Sequence, residues 1–440
     1  MSGKGLILAA PKSGSGKTLI TAGLLRHLRD RGIRVAAAKA GPDYIDPTFH
    51  ALASGAPCVN LDPWAMRPAT LAGLVGELEA AADLIVCEGV MGLFDGAGPD
   101  GEAGSTAQLA RLTGWPVVLV VDAGGQGASV AALVAGFARH DPQVPLAGVI
   151  LNHVASPRHR ALLTGAITRH LSSLPVLGAM PSNPTLKLPS RHLGLVPAGE
   201  IADAEGSIAG AATLVADTID VDRLIALARP SHRGDTRGTA GMPPFGQHIA
   251  VARDDAFLFT YEDMLSGWRR YGTEISVFSP LADEPPNPNA DAIYLPGGYP
   301  ELHAGRIAAA MRFLDGLRAA AACGKPVYGE CGGYMVLGEA LTDASGATHR
   351  MAGLLPLATS FAEPRRHLGY RVATLVSAGP LGGAGTRFRG HEFHYASIVA
   401  EGDADRLFAV TDSSGYYLGP AGLKRGPVFG SFIHLIDRED

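Results

Sequence analysis

The segment "YGECGGYM", residues 328–335, places one cysteine among glycines. This spacing matches G-x-C-x-G, the cysteine form of the tight strand-to-helix turn that exposes a nucleophile. Cys331 is therefore predicted to be an exposed nucleophilic thiol, since a buried structural cysteine would not need flanking glycines. The backbone N–H of Gly332, with one from Gly297 or Gly298 in the "LPGGYPE" turn, is predicted to stabilise the oxyanion that forms when the thiol attacks a carbonyl.

A thiol nucleophile needs a base within hydrogen-bond reach, and an imidazole is the usual one. His434 ends the predicted last strand, in "GSFIHLID", and is the first candidate. His391 and His394 in "GHEFHY" are the alternatives. Their odd spacing on a strand would direct the two rings to opposite faces, which makes them a poor metal-binding pair and favours structural or substrate-facing roles.

A second group of chemically informative residues lies in the glycine-rich segment "PKSGSGKT", residues 11–18. It follows an apolar strand pattern and precedes a helical one, as a phosphate-binding loop does, although Pro11 replaces the first glycine of the P-loop pattern. Gly14 and Gly16 would let backbone N–H groups surround phosphate oxygens. The helix N-terminus would add its dipole and Lys17 a positive charge. An ordinary strand-to-helix turn is the alternative interpretation.

Several side chains around this loop could complete a magnesium-nucleotide site. Thr18 is a predicted Mg²⁺ ligand. Glu88 stands at the carboxyl end of the predicted strand "DLIVCE", where ligands of open α/β sheets bind, unless it is simply a solvated acid. Asp43 and Asp46 in "GPDYIDP" could join it or could be turn formers. Lys12 matches the extra lysine of deviant Walker A loops, which could contact phosphates in the same chain or in a partner subunit.

Chain length and composition limit the classes of function. The 440 residues exceed the roughly 250 to 300 that a single core usually reaches, so two domains are expected. The net charge of −5 gives no basic surface for nucleic acid. The first residues do not resemble a signal peptide, and no apolar segment approaches the roughly 20 residues of a membrane span. Four scattered cysteines fit a reduced, cytoplasmic protein.

The arrangement of apolar runs predicts the elements that position these residues. Short apolar runs alternate with helical patterns over residues 1–229, which predicts βαβ units and a parallel sheet covered on both faces. Residues 230–247, rich in Gly, Pro, Ser and Thr, are predicted to be a linker. The alternation resumes over residues 248–440 and ends in segments typical of strands joined by turns. The predicted fold class is therefore α/β in two domains, the second with an antiparallel extension of its sheet.

With both groups of residues placed, the chain resembles the cobyrinic and hydrogenobyrinic acid a,c-diamide synthases of cobalamin biosynthesis over nearly its whole length. The most specific motifs, in chain order, are "GPDYIDP", "CEGVMGLFDG", "PSRHLGLV", "LPGGYPE", "ECGGYM" and "GHEFHY". The resemblance implies an ATP-dependent synthetase domain over residues 1–229, with a P-loop and a parallel sheet, similar to dethiobiotin synthetase. It implies a mixed-sheet class I glutamine amidotransferase domain over residues 248–440.

In this family, a glutaminase thiol releases ammonia from L-glutamine. ATP phosphorylates an acetate side chain of a corrin precursor, first at position c and then at position a. The ammonia displaces phosphate from the resulting acyl phosphate. The resemblance implies that Cys331 is the thiol and His434 its base. Carried over by motif, the residues that serve ATP and Mg²⁺ are Lys17, Thr18, Asp43 and Glu88. Those placed near the acetate or its acyl phosphate are Asp46, Asp95, Tyr44 and Ile45. Asn152 matches the position that reads adenine in the dethiobiotin synthetase relatives.

The sequence departs from the class I pattern two residues after the histidine, where an orienting acid is usual. Ile436 stands there, followed by Asp437, so either a Cys–His dyad suffices or another acid orients His434. Rival interpretations are cobyric acid synthase, the nickel sirohydrochlorin a,c-diamide synthase, and, from another class, a deviant Walker A ATPase that positions a partner protein. The likeness favours a metal-free substrate. Lys12 is compatible with a homodimer that shares nucleotide sites.

Overall fold

The structure is a computed structural model that describes residues 3–183, 186, 188–191, 194–232 and 241–439. The chain forms two compact units. The first comprises residues 1–64 and 68–239, and the second comprises residues 65–67 and 240–440. In the described part of the chain, no helix is long and apolar enough to cross a membrane. Two residues of the motif "PSRHLGLV", at positions 192 and 193, lie outside the described residues.

A parallel sheet forms the centre of the first unit, as the alternating pattern predicts. Its strands are β1 Lys4–Ala9, β2 Val35–Ala40, β3 Cys58–Leu61, β4 Leu84–Glu88, β5 Val117–Asp122, β6 Leu146–Val154 and β7 Val176–Pro181. They are ordered β3-β2-β4-β1-β5-β6-β7, and the pairings between neighbours are parallel. Two short strands, β8 Ser190–Arg191 and β9 Gly194–Leu195, pair with each other outside this sheet. The α/β class predicted for this half is confirmed.

The apolar runs form strands because both faces of the sheet are covered. Leu6, Ile7 and Leu8 of β1 and residues 117–121 of β5 are all buried, so a polar side chain has no solvated face to occupy. Strands β1 and β4 are neighbours, with Leu8 opposite Glu88. The loops that follow these two strands therefore leave the same edge of the sheet, which is where ligands of open α/β sheets bind.

Helices connect the strands of the first unit. They are α1 Lys17–Asp30, α2 Asp46–Ser54, α3 Pro68–Ala81, α4 Thr106–Thr113, α5 Val130–His140, α6 Pro157–His170, α7 Ala204–Thr218 and α8 Val221–Leu227, with a 3₁₀ turn at Ala198–Glu200. Two of them begin at serine caps. The Ser105 side chain accepts from Gln108 N at 3.1 Å, and that of Ser156 accepts from His159 N at 3.1 Å. These caps satisfy donors that a helix leaves unpaired at its start.

A mixed sheet forms the centre of the second unit. The strands, in chain order, are β10 His248–Ala252, β11 Glu274–Phe278, β12 Ala292–Leu295, β13 Val327–Glu330, β14 Ala340–Thr342, β15 Thr348–Arg350, β16 Leu357–Ser360, β17 His367–Leu375, β18 Arg387–His394, β19 Ser397–Glu401, β20 Asp405–Asp412, β21 Tyr417–Arg425, β22 Val428–Ser431 and β23 Ile433–Glu439. The main sheet has the order β11-β10-β12-β13-β22-β21-β20-β17-β18-β23, and a smaller one has the order β15-β14-β16-β19. The main sheet is parallel from β11 to β22 and antiparallel beyond. The predicted antiparallel extension is confirmed.

Helices of the second unit follow its parallel strands. They are α9 Glu262–Arg270, α10 Ala304–Ala309, α11 Met311–Ala322 and α12 Gly332–Leu337, with 3₁₀ turns at Pro280–Ala282 and Pro300–Leu302. Helix α12 is short and directly follows β13, with Cys331 between them. The glycine-bracketed cysteine therefore lies at the carboxyl end of a central parallel strand, the edge at which sites of open α/β sheets form.

The described ends of the predicted linker, residues 230–247, are packed. His232 N donates to Thr113 O at 2.8 Å within the first unit. Phe245 packs edge-on against aromatic rings of the second unit with centroid distances of 5.6 to 6.4 Å. These rings belong to Trp268, Tyr294, Tyr328 and Phe429. The middle of the predicted linker, residues 233–240, lies outside the described residues.

A short segment from the first half of the chain, Ala65–Arg67, belongs to the second unit. Arg67 donates to both carboxylate oxygens of Asp437, from its N at 2.9 Å and from its Nε at 3.2 Å. Asp437 is fully buried, so the guanidinium supplies the positive charge that a buried carboxylate needs. The sequence gives no local sign of this contact, because 370 residues separate its two partners.

Candidate functional site

The predicted phosphate-binding loop has a backbone that requires its glycines. Gly14 and Gly16 have φ values of 78° and 93°, in the left-handed region that favours glycine. A Cβ atom added to Gly16 would lie 2.3 Å from Asn152 Nδ2. The same Nδ2 donates to Ser15 O at 3.0 Å, so Asn152 of β6 contacts the loop directly. Its predicted role in reading adenine stays a prediction, and in this structure its amide supports the loop.

The two lysines of this loop have different surroundings. Lys12 is exposed, whereas Lys17 is 7% exposed and its Nζ donates to Met91 O at 2.7 Å. Burial lowers the pKa of Lys17, while the negative charge of Glu88 acts in the opposite direction. The Lys17 ammonium therefore lies beside the segment that follows β4. The contact predicted for Lys12 with phosphate stays a prediction.

Glu88 is the centre of a buried polar cluster and is 1% exposed. Its Oε1 accepts from Thr18 Oγ1 at 2.9 Å and lies 3.2 Å from Lys39 Nζ. Its Oε2 lies 2.5 Å from His50 Nε2. Burial opposes ionisation of the carboxyl, but Lys39 and His50 together lower the pKa of Glu88 to about 2. An ionised carboxylate beside a threonine hydroxyl fits the predicted Mg²⁺ ligands, since this ion prefers oxygen donors.

Lys39, which the sequence analysis missed, joins this cluster to the loop after β2. Its Nζ lies 2.7 Å from Asp46 Oδ2, and the residue is 2% exposed. Burial lowers the pKa of Lys39, but attraction to Asp46 and Glu88 outweighs burial and raises it overall. Burial and repulsion from Asp43 raise the pKa of Asp46 to about 6, against the attraction of Lys39. A signal was present in "VAAAKA", because a lysine in a buried strand requires charged partners. His50 was also missed, and it had no comparable signal.

Asp43 has a local structural role at the start of α2. Its Oδ1 accepts from Ile45 N at 2.7 Å and from Asp46 N at 3.0 Å. This geometry is that of the turn former named as the alternative in the sequence analysis. In the same loop Ile45 is buried and Tyr44 is half-buried. The predicted roles of Asp43 at the metal and of Tyr44 and Ile45 at the substrate stay predictions.

Asp95 completes the group that gathers at the edge formed by β1 and β4. Its Oδ2 accepts from Gly92 N at 2.9 Å, and its charge acts on the Lys17 ammonium. The sequence-predicted residues near this edge are Lys17, Thr18, Asp43, Asp46, Glu88 and Asp95. With Lys39, the structure therefore brings together two cations, one hydroxyl and several carboxylates beside a loop that can bind phosphate.

Cys331 occupies the turn between β13 and α12. Its φ of 48° and ψ of −104° are unusual for a residue with a side chain, which marks local strain. Its backbone N donates to Ser431 O at 2.8 Å, so β22 holds the turn in place. This is the strand, turn and helix arrangement that the G-x-C-x-G pattern predicts.

The prediction that this thiol is exposed is wrong. Cys331 is 2% exposed, and burial, followed by the charge of Glu301, raises the pKa of its thiol. The loop after β12 packs against the side chain, because a Cβ atom added to Gly297 of this loop would lie 3.3 Å from Cys331 Cβ. The thiol therefore needs a base beside it in order to become a nucleophile.

His434 lies next to Cys331 and can supply that base. A Cβ atom added to Gly297 would lie 2.4 Å from His434 Cε1 and 3.3 Å from Cys331 Cβ, so both side chains adjoin the same glycine. The His434 ring is 1% exposed and stacks on His391, with centroids 4.9 Å apart. Burial lowers the pKa of His434 well below its usual value, so the ring is neutral and its protonation needs a nearby negative charge.

His391 and His394 have different partners on the neighbouring strands. His391 is opposite His434 on β23, whereas His394 is opposite His367 on β17. His394 Nε2 also lies 2.9 Å from Glu392 Oε1, and the potential ligand atoms of His367, Glu392 and His394 lie within 4.8 Å of one another. Arg371 Nε donates to Glu392 Oε2 at 2.8 Å, and this arginine balances the charge of the Glu392 carboxylate without a metal ion.

The two predicted oxyanion donors lie close together. A Cβ atom added to Gly332 would lie 3.1 Å from Gly298 N. The loop that carries Gly298 is held by a hydrogen bond from Phe259 N to Gly297 O at 3.0 Å. Their proximity supports the prediction that both N–H groups serve one oxyanion, because such donors must converge on the position that the charged oxygen takes.

Replacing Gly298 with alanine is expected to destabilise the second unit and reduce glutamine hydrolysis. The new Cβ would lie 2.1 Å from Ala256 O, and overpacking of this kind costs about 1 to 3 kcal/mol. The loop would shift its N–H group, so we expect a loss of roughly tenfold or more in rate. Thermal unfolding and glutamate release measure the two effects. Gly383→Ala is the control, because its Cβ would meet no heavy atom of the described residues within 4 Å. Wild-type behaviour of Gly298→Ala would contradict the prediction.

Comparison with known proteins defines the class to which this arrangement belongs. Residues 6–196 match the family described as the CobQ/CobB/MinD/ParA nucleotide binding domain. Residues 248–440 match the family described as the CobB/CobQ-like glutamine amidotransferase domain. A nucleotide-binding half followed by an amidotransferase half is the class that the phosphate loop and the thiol site define.

Curated relatives are similar to the chain over nearly its whole length. The hydrogenobyrinate a,c-diamide synthases of Brucella anthropi and Brucella suis are each 56% identical over 99% of this chain and 98% of their own. The one from a Sinorhizobium species is 54% identical over 98% of each chain. The chain therefore belongs to the hydrogenobyrinate a,c-diamide synthase family, which confirms the resemblance seen in its motifs.

Proposed function

We propose that this chain catalyses the glutamine- and ATP-dependent amidation of the a and c acetate side chains of a corrin precursor in cobalamin biosynthesis, through an acyl phosphate. The names of the relatives support hydrogenobyrinic acid, the metal-free precursor, as the substrate. The observation that carries the proposal is that Cys331 and His434 meet at Gly297. An ATPase that only positions a partner protein would have no use for a paired thiol and imidazole.

In the amidotransferase unit, His434 accepts the thiol proton as the sulfur of Cys331 attacks the amide carbon of glutamine. The N–H groups of Gly298 and Gly332 stabilise the resulting oxyanion. When the tetrahedral intermediate collapses, the imidazolium returns its proton to the leaving nitrogen. Ammonia leaves, and a thioester remains on the sulfur. Water then hydrolyses the thioester to glutamate and restores the thiol.

In the nucleotide-binding unit, the N–H groups of residues 11–18 and the Lys17 ammonium would hold the phosphates of ATP. Thr18 and Glu88 would hold Mg²⁺, with Asp43 nearby, because the threonine and glutamate oxygens already adjoin at 2.9 Å. The ion, when bound, neutralises charge on the phosphates. The substrate carboxylate attacks the terminal phosphate of ATP, forming the acyl phosphate and releasing ADP. Ammonia then displaces phosphate from the acyl phosphate and loses a proton to form the amide. Phosphorylation is needed because a carboxylate is a poor electrophile.

Lys39 and Asp46 are suited to the transfer of ammonia. The Lys39 ammonium is buried and charged, so it would stabilise negative charge on the acetate or on its acyl phosphate. Asp46 has a pKa of about 6, which suits a group that takes a proton from nitrogen as the C–N bond forms. Asp95, Tyr44 and Ile45 would lie beside the substrate in the same region.

We also propose the organisation of the chain that this function requires. The synthetase domain would span residues 1–229, the linker residues 230–247 and the amidotransferase domain residues 248–440, close to the matched ranges and to the two units. The whole chain would bind ATP, L-glutamine and a corrin carboxylic acid, with no nucleic acid and no membrane partner. The protein would act in the cytoplasm, and the exposed Lys12 is compatible with a homodimer.

The test supplies the purified chain with ATP, Mg²⁺, glutamine and either hydrogenobyrinic or cobyrinic acid, and follows product mass. Conversion of two carboxylates of hydrogenobyrinic acid to amides supports the proposal. Turnover of cobyrinic acid without turnover of hydrogenobyrinic acid would show that the substrate is the cobalt-containing acid. Amidation of other side chains would favour a related macrocycle amidase. ATP hydrolysis without any glutamine hydrolysis would favour the ATPase alternative.

A further inference from the structure

A catalytic imidazole needs a group that holds its ring while the thiol proton moves. The usual position, two residues after His434, is Ile436, and the next residue, Asp437, has both oxygens bound by Arg67. The acid that the sequence suggests is therefore engaged by a different segment of the chain. Another buried carboxylate lies close to the imidazole, that of Glu330, which directly precedes the nucleophile.

Hydrogen bonds hold the Glu330 carboxylate at the end of β13. Its Oε2 accepts from Tyr294 Oη at 2.7 Å, and its Oε1 accepts from Tyr328 Oη at 2.8 Å. Oε1 also accepts from Leu435 N at 3.2 Å. Oε2 lies 3.9 Å from His434 Nδ1. The carboxylate thus fixes the backbone directly after the base and also faces the ring of the base.

From this geometry we infer that Glu330 is the acid that positions His434, so that the orienting acid and the nucleophile are consecutive residues. A distance of 3.9 Å is longer than a hydrogen bond but is within ion-pair range. Catalytic hydrogen bonds are often long before substrate binds and shorten in the complex. With Nδ1 facing Glu330, Nε2 would be the nitrogen that takes the proton of Cys331. The inference rests on the proposed glutaminase function.

The groups around Glu330 and His434 couple the ionisation of the Glu330 carboxyl to the protonation of the His434 ring. Titratable groups around the pair include Tyr261, Tyr294, Tyr328, Cys331, His391 and His394, and the charges of Glu301 and Glu392 also act on the thiol. Burial raises the pKa of Glu330 to about 7, against the hydrogen bonds that it accepts. Burial also raises the pKa of Tyr294 and Tyr328 and lowers that of His391 to about 3, so these three are neutral near pH 7. A positive charge on His434 would therefore be balanced by ionisation of Glu330.

The test replaces Glu330 with glutamine in a Cys323→Ser background, which removes an exposed thiol. We expect kcat for glutamine hydrolysis to fall about a hundredfold with little change in KM, because a positioned base acts on the chemical step. We also expect alkylation of Cys331 by iodoacetamide to slow near pH 7 and its pH profile to move to higher pH. The reason is that the imidazolium loses its counter-charge. A merely structural role would instead move that profile to lower pH, because the charge of Glu330 by itself raises the pKa of the Cys331 thiol.

Two further variants make the test decisive. Asp437→Asn is the matched control and should keep the wild-type pH profile, because Asp437 contacts Arg67 rather than the base. Tyr328→Phe removes one hydrogen bond to Glu330 and should give a smaller shift in the same direction. If thermal unfolding shows that Glu330→Gln is not folded, the pH profile of Tyr328→Phe decides whether Glu330 positions His434.

The outcomes separate this inference from the function on which it rests. A folded Glu330→Gln chain whose alkylation profile stays at the wild-type pH or moves to lower pH overturns the inference. So does a wild-type profile in Tyr328→Phe when Glu330→Gln is unfolded, or an equal shift in Asp437→Asn. A wild-type chain that does not hydrolyse glutamine at all would instead overturn the proposed function.

Discussion

Replacing Cys331 with serine is expected to abolish glutamine-dependent amidation while amidation with ammonium salts continues. The sulfur forms the bond to the glutamine carbon, and removal of such a nucleophile typically costs on the order of a thousandfold or more in kcat. Ammonium salts supply some unprotonated ammonia, which bypasses the amidotransferase unit. Product mass measured with each nitrogen source, at saturating ATP, gives both rates.

Cys323→Ser is the matched control, because Cys323 is an exposed thiol that follows α11 in the same unit. It should retain both rates. Loss of both rates in Cys331→Ser would show that ammonia production and consumption are not divided between the two sites. A retained glutamine-dependent rate would remove Cys331 from the reaction.

Much of the fold could be predicted because it depends on residues that are close in sequence. Continuous apolar runs identify β1, β4 and β5 as strands buried on both faces, since a half-exposed strand would alternate. Gly16 identifies a turn, since its positive φ is a backbone that other residues adopt poorly, and the glycines around Cys331 identify a close approach, since a Cβ atom at Gly333 would lie 2.0 Å from Leu295 O. The places of both candidate sites follow, because loops at the carboxyl ends of parallel strands share one edge of a sheet.

The partners of the buried charges could not be predicted, because they come from distant parts of the chain. Lys39, His50 and Glu88 stand on different elements, and no spacing rule links them. Asp437 looks like the acid of the catalytic histidine by its nearness in sequence, yet it binds Arg67, 370 residues away. Periodicity indicates which face of an element is buried, but it does not indicate which charges meet there.

The burial of the thiol was mispredicted for the same reason. The G-x-C-x-G pattern describes the turn itself, whereas the exposure of Cys331 depends on the loop that carries Gly297. Burial lowers the pKa of His434 and raises that of the thiol, so charge separation between them is costly unless a counter-charge is near. A buried dyad therefore has more need of an orienting acid than an exposed one.

Replacing Glu88 with glutamine is expected to stop amidation while glutamine hydrolysis continues. The variant keeps the shape of the side chain but removes the charge that Lys39, His50 and the proposed Mg²⁺ require. A neutral amide is a weaker ligand than a carboxylate for this ion, so we expect amidation to fall on the order of a hundredfold to a thousandfold. The loss should be equal with glutamine and with ammonium salts, because both nitrogen sources need the acyl phosphate.

Asp83→Asn is the matched control for Glu88→Gln, because Asp83 precedes the same strand, is exposed and pairs with Arg34. It should retain wild-type amidation. Unchanged amidation in Glu88→Gln would exclude Glu88 from the metal site, and a loss of glutamine hydrolysis would show damage beyond that site.

The two carboxylates of this site differ in their response to pH. The pKa of about 2 keeps Glu88 charged at all pH values near neutrality, whereas Asp46 has a pKa of about 6. Protonation of Asp46 should therefore lower the rate of amidation as the pH falls through about 6, whereas Glu88 stays charged. Measuring product formation against pH beside glutamine hydrolysis separates this decline from one that arises at Glu330, whose pKa is about 7.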